Sequence, residues 1–199
     1  MFEQVLYRNT KAILALLEKS EIIQKTYLAG GTALALQLGH RISYDLDFFT
    51  QEEFSEKMIL PEIEKISSFQ VEQIAPRTIL GKFEDIRFSL FYYPYPLLYP
   101  LKKFGMINIV DVPDIAAMKI AAIASRGTKR DFVDLYFICR EMASLKEIIR
   151  LYDKKYKNLA TTIIHIMKSL VYFEDAEPDE MPIMLKETQW EEVKRYFEI

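Results

Sequence analysis

Apolar residues along the chain recur first at helical and then at strand spacing. Val5, Leu6, Ile13, Leu14, Leu16 and Leu17 fall near helical intervals, which predicts an amphipathic helix over residues 2–19. Residues 27–29 read as a short strand cut by Gly30-Gly31, and residues 32–38 as a helix stopped by Gly39. Residues 44–49 alternate in polarity, a strand with two acids on one face. Thr50 and Glu53 have capping-box spacing for a helix that Pro61 must break or restart. Strands are expected over 69–75, 77–83 and 86–93, with Glu84-Asp85 closing the last two as a hairpin. Pro94, Pro96 and Pro100 end this part in an extended aromatic segment, and residues 106–110 add one short strand.

Beyond residue 110 the pattern is helical. Asp111 caps a helix with Pro113 in its first turn, running to Arg126 and ended by Gly127. Further helices are expected over 129–142, from Ser144 with Glu147, over 159–173, and from Thr188 with Glu191. Strands first and helices last give an α+β protein. We expect a core over 1–105 and a helical lobe over 106–199 that contributes to the same cleft. There is no internal repeat and no flexible linker.

Composition narrows the function. Half the residues are hydrophobic, enough for a full core without a metal or disulfide staple. The single cysteine excludes an internal disulfide and fits a reducing compartment. Lys+Arg number 26 against 29 Asp+Glu, a formal charge of −3. That argues against nonspecific coating of nucleic acid but leaves room for a local basic cleft. No apolar run approaches the roughly 18 residues of a membrane span. Glu3 comes too early for a signal peptide and the apolar run Ala12 to Leu17 is short and broken off by Glu18, so a cytoplasmic protein is expected.

Three sets of residues carry candidate chemistry. Gly30-Gly31-Thr32 enters a helix, where bare backbone and unpaired N–H groups suit a phosphate; taken alone it is also an ordinary strand-to-helix turn. Asp45 and Asp47 share one side of a strand flanked by Leu46, Phe48 and Phe49. Two carboxylates held together need solvent or a hard cation such as Mg²⁺. Lys119 stands among small apolar residues, with Arg126 on its helix face, followed by Lys129, Arg130, Asp131 and Asp134. Such a charge either snorkels to water or meets an anion. Fourteen residues separate Gly31 from Asp45, so one short helix brings the acids back beside the phosphate turn. His40 and His165 fit no zinc spacing, and no Gly-x-Ser-x-Gly elbow occurs.

With these blocks in place, the chain resembles the AbiEii-type nucleotidyltransferase toxins. The resemblance rests on Tyr27 to Leu36, His40 to Phe49, Ile109 to Lys119 and Arg126 to Leu135, in that order and spacing; beyond about residue 140 no motif matches. It implies a nucleotidyltransferase-like mixed sheet with flanking helices, followed by a C-terminal helical bundle. It implies an NTP substrate held by Gly30, Gly31 and Thr32, and Mg²⁺ or Mn²⁺ held by Asp45 and Asp47. Lys119 would contact phosphate, with Arg126, Arg130, Arg41 and Ser43 as further phosphate contacts. Asp131 or Asp134 would position or deprotonate the acceptor hydroxyl. Acceptors of the implied type are RNA, tRNA 3′ ends included, or protein. A cognate antitoxin is the implied protein partner.

One departure stands out. Many members of the wider superfamily carry a third carboxylate on a neighbouring strand, and Ser89 stands in that place here. Either Asp131 or Asp134 replaces it, or one metal is bound, or activity is weak. An alternative reading is therefore a catalytically impaired nucleotide-binding module acting through a partner protein. Arg126, Lys129 and Arg130, together with Lys102 and Lys103, are the candidate guides for an RNA backbone.

Overall fold

The computed structural model describes residues 1–157, 159 and 162–198. Seven strands form one mixed sheet: β1 (Tyr27–Leu28), β2 (Leu46–Thr50), β3 (Phe69–Ala75), β4 (Thr78–Phe83), β5 (Ile86–Tyr92), β6 (Lys102–Phe104) and β7 (Ile107–Ile109). Their spatial order is β3-β4-β5-β2-β1-β7-β6. β2 runs parallel to β5, with Asp47 opposite Ser89, and antiparallel to β1. β1 is parallel to β7. Phe48 of β2 and Phe88 of β5 are fully buried with ring centroids 5.7 Å apart. Each such ring contributes about 1.5–3 kcal/mol by burial.

Helix α3 (Gly30–Leu38) follows β1 directly. Its residues Ala33, Leu34, Ala35, Leu36 and Leu38 are buried nearly all round, as expected of a helix packed on several sides. Gly39 ends it in the left-handed conformation that glycine adopts without strain. Helix α5 (Val112–Ser125) starts at the Asp111 cap, whose carboxylate accepts from Val112 N at 2.7 Å. Its small residues Ala116 and Ala117 let α3, α6 (Lys129–Glu141) and α7 (Leu145–Lys155) pack close. Ser144 and Glu147 form the expected capping box of α7.

Several local expectations are corrected. The 2–19 segment is not one helix: a 3₁₀ turn (Glu3–Val5) precedes α1 (Arg8–Leu17), because Leu6 bridges Ser43 and Ser43 N donates to Val5 O. A four-residue helix, α2 (Glu21–Gln24), then leads into β1. Thr50 caps nothing; it ends β2, its carbonyl accepting from Tyr93 N. The next helix, α4 (Glu56–Glu64), starts after Ser55 and runs through Pro61 unbroken. Pro61 is exposed, so the helix forgoes one hydrogen bond without burying an orphaned group. β6 was not expected; it forms as the antiparallel partner of β7. The sheet thus continues past residue 105. Of the 159–173 helix, Ile163–Ser169 is helical (α8), while residues 160 and 161 lie outside the described residues. Helix α9 (Trp190–Phe197) begins after Gln189, and Thr188 bonds Glu192 rather than capping it.

Candidate active site

A cleft of about 220 Å³ opens where the start of β2 meets α3, β5 and the α5–α6 connection. Nearly all the residues singled out from the sequence meet here. Gly31, Arg41, Ser43, Asp45 and Asp47 line one side. Lys119, Arg126, Arg130 and Asp131 line the other. Three are set behind the lining: Gly30, Thr32 and Asp134.

Local backbone geometry explains the glycines. Gly30 has φ +65°, and a Cβ there would stand 2.8 Å from Asp47 Oδ2. A Cβ on Gly31 would collide with Arg41 Nη2. Both glycines therefore make room for the site's own charged side chains. Thr32 is buried, and its hydroxyl donates to the Asp45 carbonyl and pairs with Ser43 Oγ. Thr32 thereby fixes the approach to β2.

The two acids are poised differently. Asp45 precedes β2 and meets Arg130 Nη1 at 3.3 Å. Asp47 lies within β2. Burial and the neighbouring Asp45 push its pKa above the ordinary carboxylate range, relieved in part by Ser89. A carboxylate uncomfortable as an anion is one that a cation stabilises.

Behind them runs a buried ion network. Asp134 is fully buried; it receives Arg41 through two bonds of 2.7 and 2.8 Å, His40 Nε2 at 2.8 Å and Lys119 at 2.6 Å. Asp131 receives Lys119 at 2.9 Å, Arg126 Nε at 3.0 Å and Thr128 Oγ1 at 2.7 Å. Burial opposes both charges, but these cations outweigh it and hold both carboxylates below their ordinary pKa. Burial likewise opposes the Lys119 ammonium, and the two aspartates raise it above its usual value. Asp134, expected with Asp131 to position or deprotonate an acceptor hydroxyl, has no side-chain surface on the cleft. It is sealed from the cleft and strongly held as an anion, so it orients Arg41 and Lys119. Asp131 is committed to Lys119 and Arg126 in the same way.

Ser89 lies beside Asp47 on the neighbouring strand, where a third acid would have to stand. Asp85 does not replace it, since it sits in the β4–β5 turn and pairs with Asn9. Among the described residues no group of three His, Cys, Asp or Glu side chains is placed to hold a metal ion.

Sequence reasoning missed Arg87, Thr128 and His40. Arg87 lies two residues before Ser89 on β5 and lines the cleft, a position readable from strand alternation. The five cations expected to guide an RNA backbone are dispersed. Lys129 is buried, bonding Asp179 O at 2.6 Å and Glu177 O at 3.1 Å, with Trp190 over its ammonium. Lys102, on β6 at the far edge of the sheet, pairs with Asp111. Only Arg126 and Arg130 of the five remain at the cleft.

This constellation can be compared with known proteins. The family model for the nucleotidyl transferase AbiEii toxin, type IV TA system, matches residues 12–100 and 69–198. The chain belongs to the AbiEii nucleotidyltransferase toxin family. It is thereby a nucleotidyltransferase. The protein aq_aa25 of Aquifex aeolicus (strain VF5) is 43% identical over 176 residues, covering 86% of this chain and 84% of that one. The fold is shared with MenT4, the nucleotidyltransferase toxin Rv2826c of Mycobacterium tuberculosis H37Rv. That pair has a TM-score of 0.59 at 19% identity, covering 96% of this chain and 84% of that one. It is shared also with JHP933 of Helicobacter pylori, at a TM-score of 0.58 and 16% identity, covering 98% and 89%. No helix among the described residues is long and apolar enough to cross a membrane.

Proposed function

We propose that this AbiEii-family chain transfers a nucleoside monophosphate from an NTP to a hydroxyl group. The acceptor is an RNA, tRNA 3′ ends included, or a protein. One observation carries the reading: Asp45 and Asp47 face Lys119, Arg126, Arg130 and Arg87 across one small cleft beside a bare-glycine turn. The cations here are nearly offset by Asp45, Asp47, Asp131 and Asp134, so a triphosphate needs additional positive charge.

The donor set fits a hard divalent cation such as Mg²⁺. Two carboxylates project from the start of one strand, and Asp47 is disfavoured as an unpaired anion. Bound to Asp45 and Asp47, the cation would neutralise the triphosphate and polarise the reacting phosphorus. The chain's own groups do the rest. The backbone at Gly31 cradles phosphate oxygens, while Ser43, paired with Thr32, holds the turn in place. Lys119, held in place by Asp131 and Asp134, offsets negative charge as the pyrophosphate departs. Arg126 and Arg130, more than half exposed, hold the acceptor's approach to the cleft mouth. The role expected of Asp131 is read here as positioning. The helical residues beyond 106 supply this second wall. The protein is read as acting in the cytoplasm, with a cognate antitoxin as partner.

Ser89 favours a second reading, a module that binds NTP without transferring it. The test is a transfer assay with each α-labelled NTP, Mg²⁺ and total bacterial RNA. Wild type is compared with the Asp45→Ala/Asp47→Ala double variant. Label on RNA or protein with the wild type alone supports transfer. Mg²⁺-dependent NTP binding without label supports the module. Neither result leaves the cleft without a nucleotide role.

A further inference from the structure

Beside the phosphate cleft lies a second cavity, of about 430 Å³, sharing Arg41, Thr128 and Arg130 with it. The rest of its lining differs in chemistry. Tyr44, Ile42, Met181, Pro182 and Ile183 give an aromatic and apolar wall, closed by Asp179 and Glu180. The wall is held firmly. Ile183 O accepts from Ile42 N at 2.8 Å, and Leu185 N donates to His40 O at 2.8 Å. Asp179 is tied through its carboxylate to Lys129 N at 3.0 Å and through its carbonyl to Lys129 Nζ. The C-terminal segment is thus fastened both to the loop carrying Arg41 and Ser43 and to the start of α6.

We propose that this second cavity is the nucleoside subsite, with Tyr44 as the stacking face and the 179–183 segment as the wall that selects the base. The proposal rests on the reading of the first cleft as a triphosphate site. Charge separates the two spaces. Phosphate is drawn to the first once a bound cation joins Arg41, Arg87, Lys119, Arg126 and Arg130 there; the second holds only Arg41 and Arg130, matched by Asp179 and Glu180. Asp179 and Glu180 repel phosphate from the second but accept from ribose hydroxyls or base amines. Apolar side chains and a tyrosine ring suit the flat face of a base. The shared Arg41, Thr128 and Arg130 mark the junction, where a nucleotide passes from phosphate to sugar. This assigns a role to the 179–183 segment, which lies outside the motif blocks.

Isothermal titration in Mg²⁺ tests it, using the full chain with ATP, CTP, GTP, UTP and inorganic tripolyphosphate. The variants are Tyr44→Ala, Ile183→Glu and Asp45→Ala. Ile183 is 59% exposed, so its replacement leaves the fold intact even where Tyr44→Ala does not. We expect at least one NTP to bind the wild type more tightly than tripolyphosphate. That advantage should fall at least about fivefold in Tyr44→Ala and Ile183→Glu, with tripolyphosphate affinity unchanged. Equal affinity of every NTP and tripolyphosphate for the wild type overturns the subsite and leaves the triphosphate cleft standing. So does an NTP advantage that survives both substitutions. If neither NTP nor tripolyphosphate binds, or Asp45→Ala weakens neither, the reading of the cleft fails and the subsite falls with it.

Discussion

Asp134 and Asp47 sit close together yet respond to pH in opposite directions. Asp134 is held below its unfolded pKa of about 3.9, as is Asp131. Their share of stability is therefore fully present above that value and is lost as pH falls below it toward the depressed folded pKa. Asp134→Asn leaves Arg41 and Lys119 buried without a full counter-charge. It should cost about 3–5 kcal/mol at pH 7 and flatten the fall in stability below about pH 4, read from urea midpoints between pH 3 and 7. Asp47 has a raised pKa, so its ionisation works against folding as pH rises above the ordinary carboxylate range. Asp47→Asn should raise the urea midpoint at pH 7 while lowering transfer at least about 100-fold. A variant that loses stability and activity together would show that Asp47 is held by partners in the free protein. Gly30→Ala should instead lower the urea midpoint and transfer together. A side chain in the left-handed conformation costs about 1–2 kcal/mol, and the methyl group would displace the Asp47 carboxylate.

At the scale of elements, Pro61 offers a clean test. It occupies the exposed interior of α4, and the helix lacks the bond its N–H would donate to Lys57 O. Pro61→Ala should stabilise the protein by about 1–3 kcal/mol in urea unfolding; no gain would mean that the proline's restriction of the unfolded chain offsets the lost bond. The same helix shows where the sequence was hard to read. Proline, together with a Thr-x-x-Glu pattern at Thr50, displaced the expected start, because capping spacing is local while Thr50 was already committed to β2 by its pairing with Tyr92. The central strands were legible because alternation and β-branched or aromatic residues agree there. Helices α5 and α7 were legible because their caps, Asp111 and Ser144, form the bonds their spacing implied. The site was legible in its parts, since Gly-Gly, Asp-x-Asp and a lysine in an apolar helix are each unusual. Its wiring was not. That Asp134 would be sealed by His40, Arg41 and Lys119 depends on contacts spanning 94 residues for His40, which no local pattern encodes.

Across the whole molecule, the cleft joins residues from both halves of the chain, and a second buried ion pair, between α5 and α7, reaches back to the segment that follows β5. Lys155 and Asp114 are fully buried and 2.7 Å apart. Asp114 also accepts from Leu98 N and Tyr99 N, while Lys155 donates to Pro96 O. Helices α5 and α7 are thereby fastened to the aromatic segment that leaves β5, where Tyr93, Tyr95 and Tyr156 pack edge to face. Together with the parallel pairing of β1 and β7, this ties the helical residues to the sheet at several independent points. The chain should then unfold in one cooperative step. Trp190, the single tryptophan, reports on the helical end, and far-ultraviolet circular dichroism reports on the whole. Their urea transitions should coincide in the wild type. Lys155→Met leaves Asp114 buried without its cation and should lower stability by about 3–5 kcal/mol with the two probes still coincident. Separate transitions in the wild type would mean that the helical part unfolds on its own, and that the cleft is assembled by docking two autonomous units.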